Sequence, residues 1–372
     1  MLSWPQRRKY DCPTYYKYCA VSRAAGVLAV RKKSLRRGLP SRAPYSLKPQ
    51  LISYQGFKIE DGKLRIPIAR RKFQYIPLAK HTLAVLSNTA LTVRSFTLTP
   101  SSLSLTILKE VPGVECTEAI GVDVNLLNLT VGNEDKVTQY DVHNAVRIVE
   151  TTTEVVGSFK RNDSRIQEKI ASKYGRRRQN RIRNMLHNAS KRIVNAAVGQ
   201  RQMIVLENLE GIRKLYRRSN GQRREYRRKM NSWSFSEVQH QIEYKARWVG
   251  IPVIRLSRKE TQGTSVTCPQ CGERLQEERR LVRNLWCGNC RVVMDRDVVA
   301  AINLSRRGRL RFDRSRAQHG LEGRAVEAVK GNPMPPVILK VDALKSNQLG
   351  SHLSDLSLTE PRYRFYKCPF SL

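Results

Sequence analysis

Gly121-Val122-Asp123-Val124-Asn125, Val205-Leu206-Glu207-Asn208-Leu209 and Asp295-Arg296-Asp297 follow one another along the chain. The last stands just after the pairs Cys268-Pro269-Gln270-Cys271 and Cys287-Gly288-Asn289-Cys290. Asp123 closes the apolar run Ile120-Gly121-Val122, and Glu207 closes Ile204-Val205-Leu206. A carboxylate at the edge of an apolar strand is costly unless a cation meets it. Either acid alone is more often a cap or half of an ion pair. The order strand-Asp, strand-Glu, helix-Asp is more specific. Hard oxygen ligands from distant parts of a chain can converge on Mg²⁺, and two such ions roughly 4 Å apart serve both the attacking and the leaving oxygen of a phosphodiester.

The cysteines are the second strong signal. Spaced C-x2-C-x15-C-x2-C, Cys268, Cys271, Cys287 and Cys290 fit one tetrahedral Zn²⁺. With all four positions filled by protein, the zinc is structural, and Arg274, Arg279, Arg280, Arg283 and Arg291 surround it with positive charge. A redox Cys-x-x-Cys is the competing reading, and the doubled motif argues against it. Cys12, Cys19, Cys116 and Cys368 are isolated and read as structural or incidental.

Composition names the partner class. Sixty-nine Lys and Arg oppose 31 Asp and Glu, a formal charge of +38 over 372 residues. Such a chain repels itself unless a polyanion shares its charge, and nucleic acid is the default polyanion. A membrane-surface role is disfavoured because the basic residues are spread along the chain rather than gathered on one helix beside an anchor. No apolar run approaches the roughly 20 residues of a membrane span. Cys19 to Val30 is interrupted by Arg23 and gives no secretion signal, so a cytoplasmic, nucleoid-associated protein is expected.

Along the chain, residues 1–45 are basic and weakly patterned and read as a poorly ordered or RNA-contacting arm. Residues 46–115 alternate with period two: Phe57 and Ile59 lead to Asp61-Gly62, a hairpin signal, and Leu64, Ile66 and Ile68 leave it. Phe96 and Leu98, then Leu103, Leu105 and Ile107, repeat the pattern around Pro100, predicting a small barrel-like β-domain. Ile120–Val124, Leu127–Val131 and Lys136–Val142 predict an antiparallel meander. Apolar residues from Ile166 to Ala196 then recur at helical spacing, with Gly175 as a candidate break. Arg176, Arg177, Arg178 and Arg181 lie off the apolar stripe, so this helical insertion (160–200) offers phosphates a basic face. From Arg213 to Lys229, Arg213, Lys214, Arg217, Arg218, Arg223, Arg224, Arg227 and Arg228 interleave with Tyr216 and Tyr226. Cations that neutralise phosphates beside rings that stack on bases suit nucleic acid, although a solvated basic loop is the bland alternative. A helix from Phe235 and a strand at Gly250–Ile254 complete this region.

These motifs together resemble one family. Gly121-Val-Asp-Val-Asn with Asn128-Leu-Thr-Val, Val205-Leu-Glu-Asn-Leu-Glu-Gly-Ile, Thr264-Ser-Val-Thr-Cys-Pro-Gln-Cys-Gly and Asp295-Arg-Asp-Val-Val-Ala-Ala-Ile-Asn look like the RuvC-like core of the TnpB (OrfB) family. These are insertion-sequence proteins related to the single-effector type V CRISPR nucleases. The resemblance implies a mixed α/β fold: an RNase H-like RuvC core over 116–305, a zinc ribbon inserted at 264–294, and a β-barrel wedge domain before the core. It implies an RNA-guided DNA endonuclease with catalytic Mg²⁺, partnered by a guide RNA from the transposon end and a double-stranded DNA target. The family's acids fall on Asp123, Glu207 and Asp297, with Asp297 preferred to Asp295 because it matches the Asp of the pattern D-x-N-A-A.

Three departures accompany the match. Val299 stands where the family usually has Asn, so a polar group beside the third acid is expected to be missing. The stretch before Gly121 is shorter than usual, which predicts a curtailed recognition region. Residues 306–372 read as a disordered or RNA-binding tail. A nucleic-acid-binding derivative that does not cleave, either a guide-dependent repressor or a truncated transposon relic, is the alternative. A strand-joining transposase has little support, because the six histidines are scattered and form no His-hydrophobe-His motif.

Overall fold

The computed structural model describes residues 12–45, 50–100, 102–159, 163–209, 212–216, 221–233, 235–277, 283–318 and 337–341. The chain separates into two compact units, Met1–Glu110 with Pro335–Leu372, and Val111–Met334.

In the first unit, helix α1 (Thr14–Arg36) precedes strands β1 (Leu51–Ser53), β2 (Lys58–Glu60), β3 (Lys63–Ala69) and β4 (Lys72–Pro77). Helix α2 (Lys80–Leu86) and strands β5 (Leu91–Thr99) and β6 (Ser102–Lys109) follow. Residues 14–36 are thus helical, where an unpatterned arm was expected. Sequence periodicity missed α1 because it buries almost nothing: Tyr16 is its one buried residue, and the Tyr16 hydroxyl donates to the Pro67 carbonyl at 2.8 Å. The Asp61-Gly62 hairpin forms, with both residues at positive φ (50° and 71°), as a tight two-residue turn demands. The expected barrel does not close. β2-β3-β4 make one sheet, β1-β5-β6 belong to another, and no ladder joins the two among the described residues. Three-residue strands such as β1 and β2 offer too few backbone groups for closure, so the sheets share a core of Leu64, Ile66, Phe96, Leu103 and Leu105 instead.

The second unit is built on a five-stranded mixed sheet. Strands β7 (Glu118–Val124), β8 (Asn128–Gly132) and β9 (Val137–Asp141) form the expected meander. Helices α3 (His143–Ser158) and α4 (Ser164–Gly199) then lead to β10 (Gln202–Glu207). Gly175 does not interrupt α4. A short 3-10 turn (Ile212–Tyr216), α5 (Arg224–Ser232), α6 (Phe235–Trp248) and β11 (Val253–Leu256) follow, and the sheet order is β11-β10-β7-β8-β9. β10 lies parallel to both its neighbours, and Met203 to Leu206 are fully buried, as a central strand covered on both faces requires.

β12 (Gln276–Glu277), β13 (Asn284–Cys287) and β14 (Val292–Asp295) form a small antiparallel sheet, and α7 (Arg296–Gln318) follows directly. The chain therefore stays helical well past residue 305, where a tail was expected to begin. A last strand, β15 (Val337–Val341), pairs antiparallel with β6 in the first unit. The rest of the expected tail, 319–336 and 342–372, lies outside the described residues.

α7 docks on the sheet through two glycines. A Cβ on Gly121 would stand 2.1 Å from the Ala301 carbonyl oxygen and 2.7 Å from Leu304 Cβ. A Cβ on Gly308 would stand 2.2 Å from a Val205 methyl. The Ser305 hydroxyl also donates to the Ala119 carbonyl at 2.8 Å. Gly121→Ala should therefore push α7 off β7. We expect a loss of about 3 kcal/mol or more, read by urea denaturation, and an unchanged midpoint would contradict this packing.

Candidate active site and metal centre

The docking of α7 decides which acids meet. Side chains alternate along a strand, so Asp123 shares the face of Gly121, the face α7 covers. Helix α7 runs against β7: Ser305 reaches Ala119, Ala301 lies over Gly121, and Asp297, one helical turn earlier, falls at the level of Asp123. β10 brings the second acid. The parallel register pairs Val205 with Gly121 and Leu206 with Val122, and one further step sets Glu207 beside Asp123. Val205 faces Gly308 of α7, so Glu207, two residues on, faces the same way. The three acids thus gather where two strand ends meet the start of one helix.

At two of the acids desolvation is the largest influence, and at Asp123 it outweighs the nearby positive charge. Burial is the main cause that pushes Asp123 up to about 7, with the neighbouring Asp297 charge adding to it and the hydrogen bond from Asn125 opposing it. Burial, then the Asp123 charge, pushes Glu207 up to about 8. Asn125 Nδ2 donates to Asp123 Oδ2 at 2.6 Å. Gln239, on α6, donates to the Glu207 carbonyl at 2.8 Å and accepts from Arg255 at 3.1 Å, anchoring the end of β10.

Asp295 and Asp297 have different tasks. Asp295 Oδ1 accepts from the backbone N–H groups of Asp297 (2.8 Å) and Val298 (3.1 Å), an N-cap for α7. Asp297 is 3% exposed, and Arg283 donates to both its oxygens, to Oδ1 at 2.6 Å. Asp297 is also the one of the two whose charge acts on Asp123. The Arg283 contact was not legible in the sequence, which marked Arg283 only as one of several basic residues around the cysteines. Val299 is fully buried among Cys268, Leu275, Leu285 and Cys287, so an Asn there would enter the core of the small sheet rather than border the acids. The informative amide is Asn303, which donates to the carbonyls of Thr264 and Thr267, both at 2.8 Å, and ties the start of the cysteine segment to α7.

The four cysteine sulfurs come together within 4.8 Å of one another, with Cys268–Cys290 at 3.9 Å and Cys271–Cys287 at 3.5 Å. A ZnS₄ tetrahedron with bonds of about 2.3 Å has edges of about 3.8 Å. The donor set thus suits a metal such as zinc. Among the described residues no other three Cys, His, Asp or Glu donors pack this closely, so Asp123, Glu207 and Asp297 are neighbours without forming a comparably tight donor set.

Among the basic residues, Arg176, Arg177 and Arg181 are exposed and Arg178 is half-buried on α4. Arg176 and Arg178 line a groove of about 500 Å³ floored by Val149, Ile182 and Leu186. Arg223, Arg224 and Arg228 are exposed around α5, and Arg227 donates to the Gln222 carbonyl at 2.7 Å. Arg213 and Lys214 lie in the 3-10 turn, while Arg217, Arg218, Arg279 and Arg280 fall outside the described residues. Tyr216 and Tyr226 meet edge to face at 5.9 Å; Tyr216 packs against the main core, and Tyr226 keeps 46% of its surface exposed. No helix among the described residues is long and apolar enough to cross a membrane.

A mixed α/β scaffold with a four-cysteine appendage and acids at its strand ends defines a class related to the type V effectors. The family model of the Cas12f1-like TNB domain matches residues 235–304, the span from α6 to the first turns of α7. A solved Cas12f1–sgRNA–target DNA complex shares the fold, with TM-score 0.51 and 15% identity, over 73% of this chain and 67% of that one. "TnpB-like protein MJ0751" of Methanocaldococcus jannaschii is 31% identical over 269 residues, which is 67% of this chain and 91% of that protein. The chain belongs to the TnpB family. A Streptomyces pristinaespiralis protein, provisionally named an RNA-guided DNA endonuclease, is 27% identical over 52% of this chain, which spans 46% of that protein.

Proposed function

We propose that this protein is an RNA-guided DNA endonuclease that hydrolyses phosphodiester bonds at Asp123, Glu207 and Asp297. The observation that carries it is the convergence of three acids from distant segments on one edge beneath the start of α7, where desolvation outweighs the nearby Arg283 and Arg296 charges at Asp123 and the Asp123 charge adds to desolvation at Glu207. The three carboxylates would hold Mg²⁺, which when bound supplies an activated water and neutralises the leaving oxygen. Asn125 orients Asp123, Gln239 fixes the end of β10, and Arg283 holds Asp297 in place. The sheet and α7 serve as the RNase H-like RuvC core, the zinc-held sheet as its ribbon, and the first unit as the wedge. The relative's name and the sgRNA and target DNA of the Cas12f1 complex support RNA guidance and a DNA target; that the guide comes from the transposon end and the target is double-stranded is part of the proposal. The charge of +38 and the exposed arginines of α4 and α5 supply phosphate contacts.

The test is cleavage of a target-bearing plasmid by protein purified with its copurifying RNA. Linearisation that needs Mg²⁺ and is lost after RNase treatment is the expected result. One observation favours a second reading, a binding protein that does not cleave: Arg283 engages both oxygens of Asp297. RNA and DNA binding with no cleavage in Mg²⁺ or Mn²⁺ would establish that reading instead.

A further inference from the structure

Strand β8 carries polar atoms beside the acids that nothing so far has used. The antiparallel register places Thr130 directly across from Asp123, so both side chains project from the same face, with Cβ atoms about 5 Å apart. Thr130 is fully buried, yet its hydroxyl has no hydrogen-bond partner among the described residues. Asn128, two residues back and on the same face, has a buried Oδ1 that is likewise unpartnered. The Asn125 N–H donates to the Asn128 carbonyl at 3.0 Å, closing the β7–β8 hairpin and placing Asn128 across from the residue that orients Asp123. Asp123, Asn125, Asn128 and Thr130 form one polar patch at the tip of an otherwise apolar hairpin.

A buried hydroxyl left without a partner costs on the order of 1–3 kcal/mol. Valine has nearly the same shape and avoids that cost, so simple packing favours Val at 130. The neighbours Leu129 and Val131 show that the strand accommodates apolar residues on either side. The orphaned oxygens therefore point to a ligand with hydrogens to donate. Mg²⁺ keeps several of its waters even when carboxylates hold it, and those waters are strong donors.

Resting on the nuclease reading above, we propose that Thr130 and Asn128 are positioning residues for the divalent cation at Asp123. The Thr130 hydroxyl and Asn128 Oδ1 accept hydrogen bonds from water retained by the metal. They fix the orientation of that water without touching the ion. Partners at this remove typically contribute 10- to 100-fold in metal affinity.

The test uses full-length, zinc-loaded protein and Mn²⁺ as the probe, with binding followed by calorimetry and by the electron paramagnetic resonance of free Mn²⁺. Thr130→Val is expected to raise the melting temperature of the manganese-free protein and to weaken Mn²⁺ binding 10- to 100-fold, whereas Thr130→Ser restores affinity. Asn128→Ala should weaken binding in the same direction, and it decides the matter if the valine variant fails to fold. Asp123→Asn should abolish binding, marking the site as the one in question. Wild-type affinity in both Thr130→Val and Asn128→Ala, with binding lost in Asp123→Asn, would overturn this inference and leave the nuclease reading standing. No Mn²⁺ binding by the wild type would overturn both.

Discussion

Glu207→Gln is expected to make the magnesium-free protein more stable at pH 8 while reducing cleavage by about 10³-fold or more, since a metal-held transition state loses several kcal/mol with a ligand. The two effects share one cause. Burial and the Asp123 charge raise Glu207 from 4.5 to about 8, and burial with the Asp297 charge raises Asp123 from 3.8 to about 7 in the folded chain. Between roughly pH 4 and pH 8 the native state therefore binds more protons than the unfolded state. Stability then falls as pH rises. The contribution of these protons is fully present below the unfolded values and is lost as pH climbs through 7 and 8. Glutamine never ionises, so it escapes the cost of charging this position. At pH 8 the variant should melt roughly 5–10 °C higher, and its stability should decline less steeply from pH 5 to pH 8.5. Mg²⁺ reverses the comparison, stabilising the wild type by mass action and the variant far less. Scanning calorimetry at three pH values, with and without Mg²⁺, reads all of this. A variant that melts like the wild type at pH 8 would show that Glu207 is solvated and not part of a buried pair.

The same pair shows which parts of the candidate site left a trace in the sequence. Asp123 near the end of β7 and Glu207 at the end of β10 each follow an apolar run, a pattern ambiguous for either acid alone, and the parallel register sets the two side by side. Helical period likewise marked α4, and the Asp61-Gly62 turn marked its hairpin. Elements that bury little, or that break propensity rules, escaped. Helix α3 carries Thr151-Thr152-Thr153 and Val155-Val156, which favour strands in isolation. In the fold, the Thr152 and Thr153 hydroxyls donate to the Ile148 and Val149 carbonyls at 2.6 and 2.8 Å, satisfying themselves within the helix. Contacts that depend on tertiary placement left no local trace. Gln239 looks like any helical glutamine until α6 lies against the end of β10, and Arg283 looks like one more surface arginine until the small sheet folds back on α7. The barrel expectation failed for a related reason: alternation identifies strands, but closure depends on edge pairing that no period encodes.

If the four cysteines hold zinc as proposed, removing it should disable the acids without unfolding the sheet that carries two of them. Among the described residues the small sheet has a buried core of Cys268, Leu275, Leu285, Cys287 and Val299, flanked by the half-buried Val266, Val292 and Met294, too little apolar surface to hold a fold unaided. Structural zinc sites contribute about 10–16 kcal/mol of binding free energy, enough to account for its order. That order reaches Asp297 by three routes. β13 and β14 pair Asn284 with Asp295, the cap of α7; the Arg296 N–H donates to the Arg283 carbonyl at 2.9 Å; and the Arg283 guanidinium grips the Asp297 carboxylate. Without metal the thiols must lie unpaired or reprotonated in a small apolar centre, the hairpin opens, and the cap and Arg283 leave together. The first turn of α7 then frays, because its N–H groups lose Asp295. Further along, Ala301, Leu304 and Ser305 remain locked over Gly121 and Ala119, so the five-stranded sheet keeps its main helix. Cys287→Ser is therefore expected to lose one equivalent of zinc by metal analysis and at least about 100-fold in cleavage, while the main unfolding transition shifts little. Amide hydrogen exchange should show protection lost at 284–298 and retained at 203–206. A zinc-free variant that still cleaves at the wild-type rate would mean that Asp297 is held by α7 alone and that the ribbon serves only nucleic-acid contact.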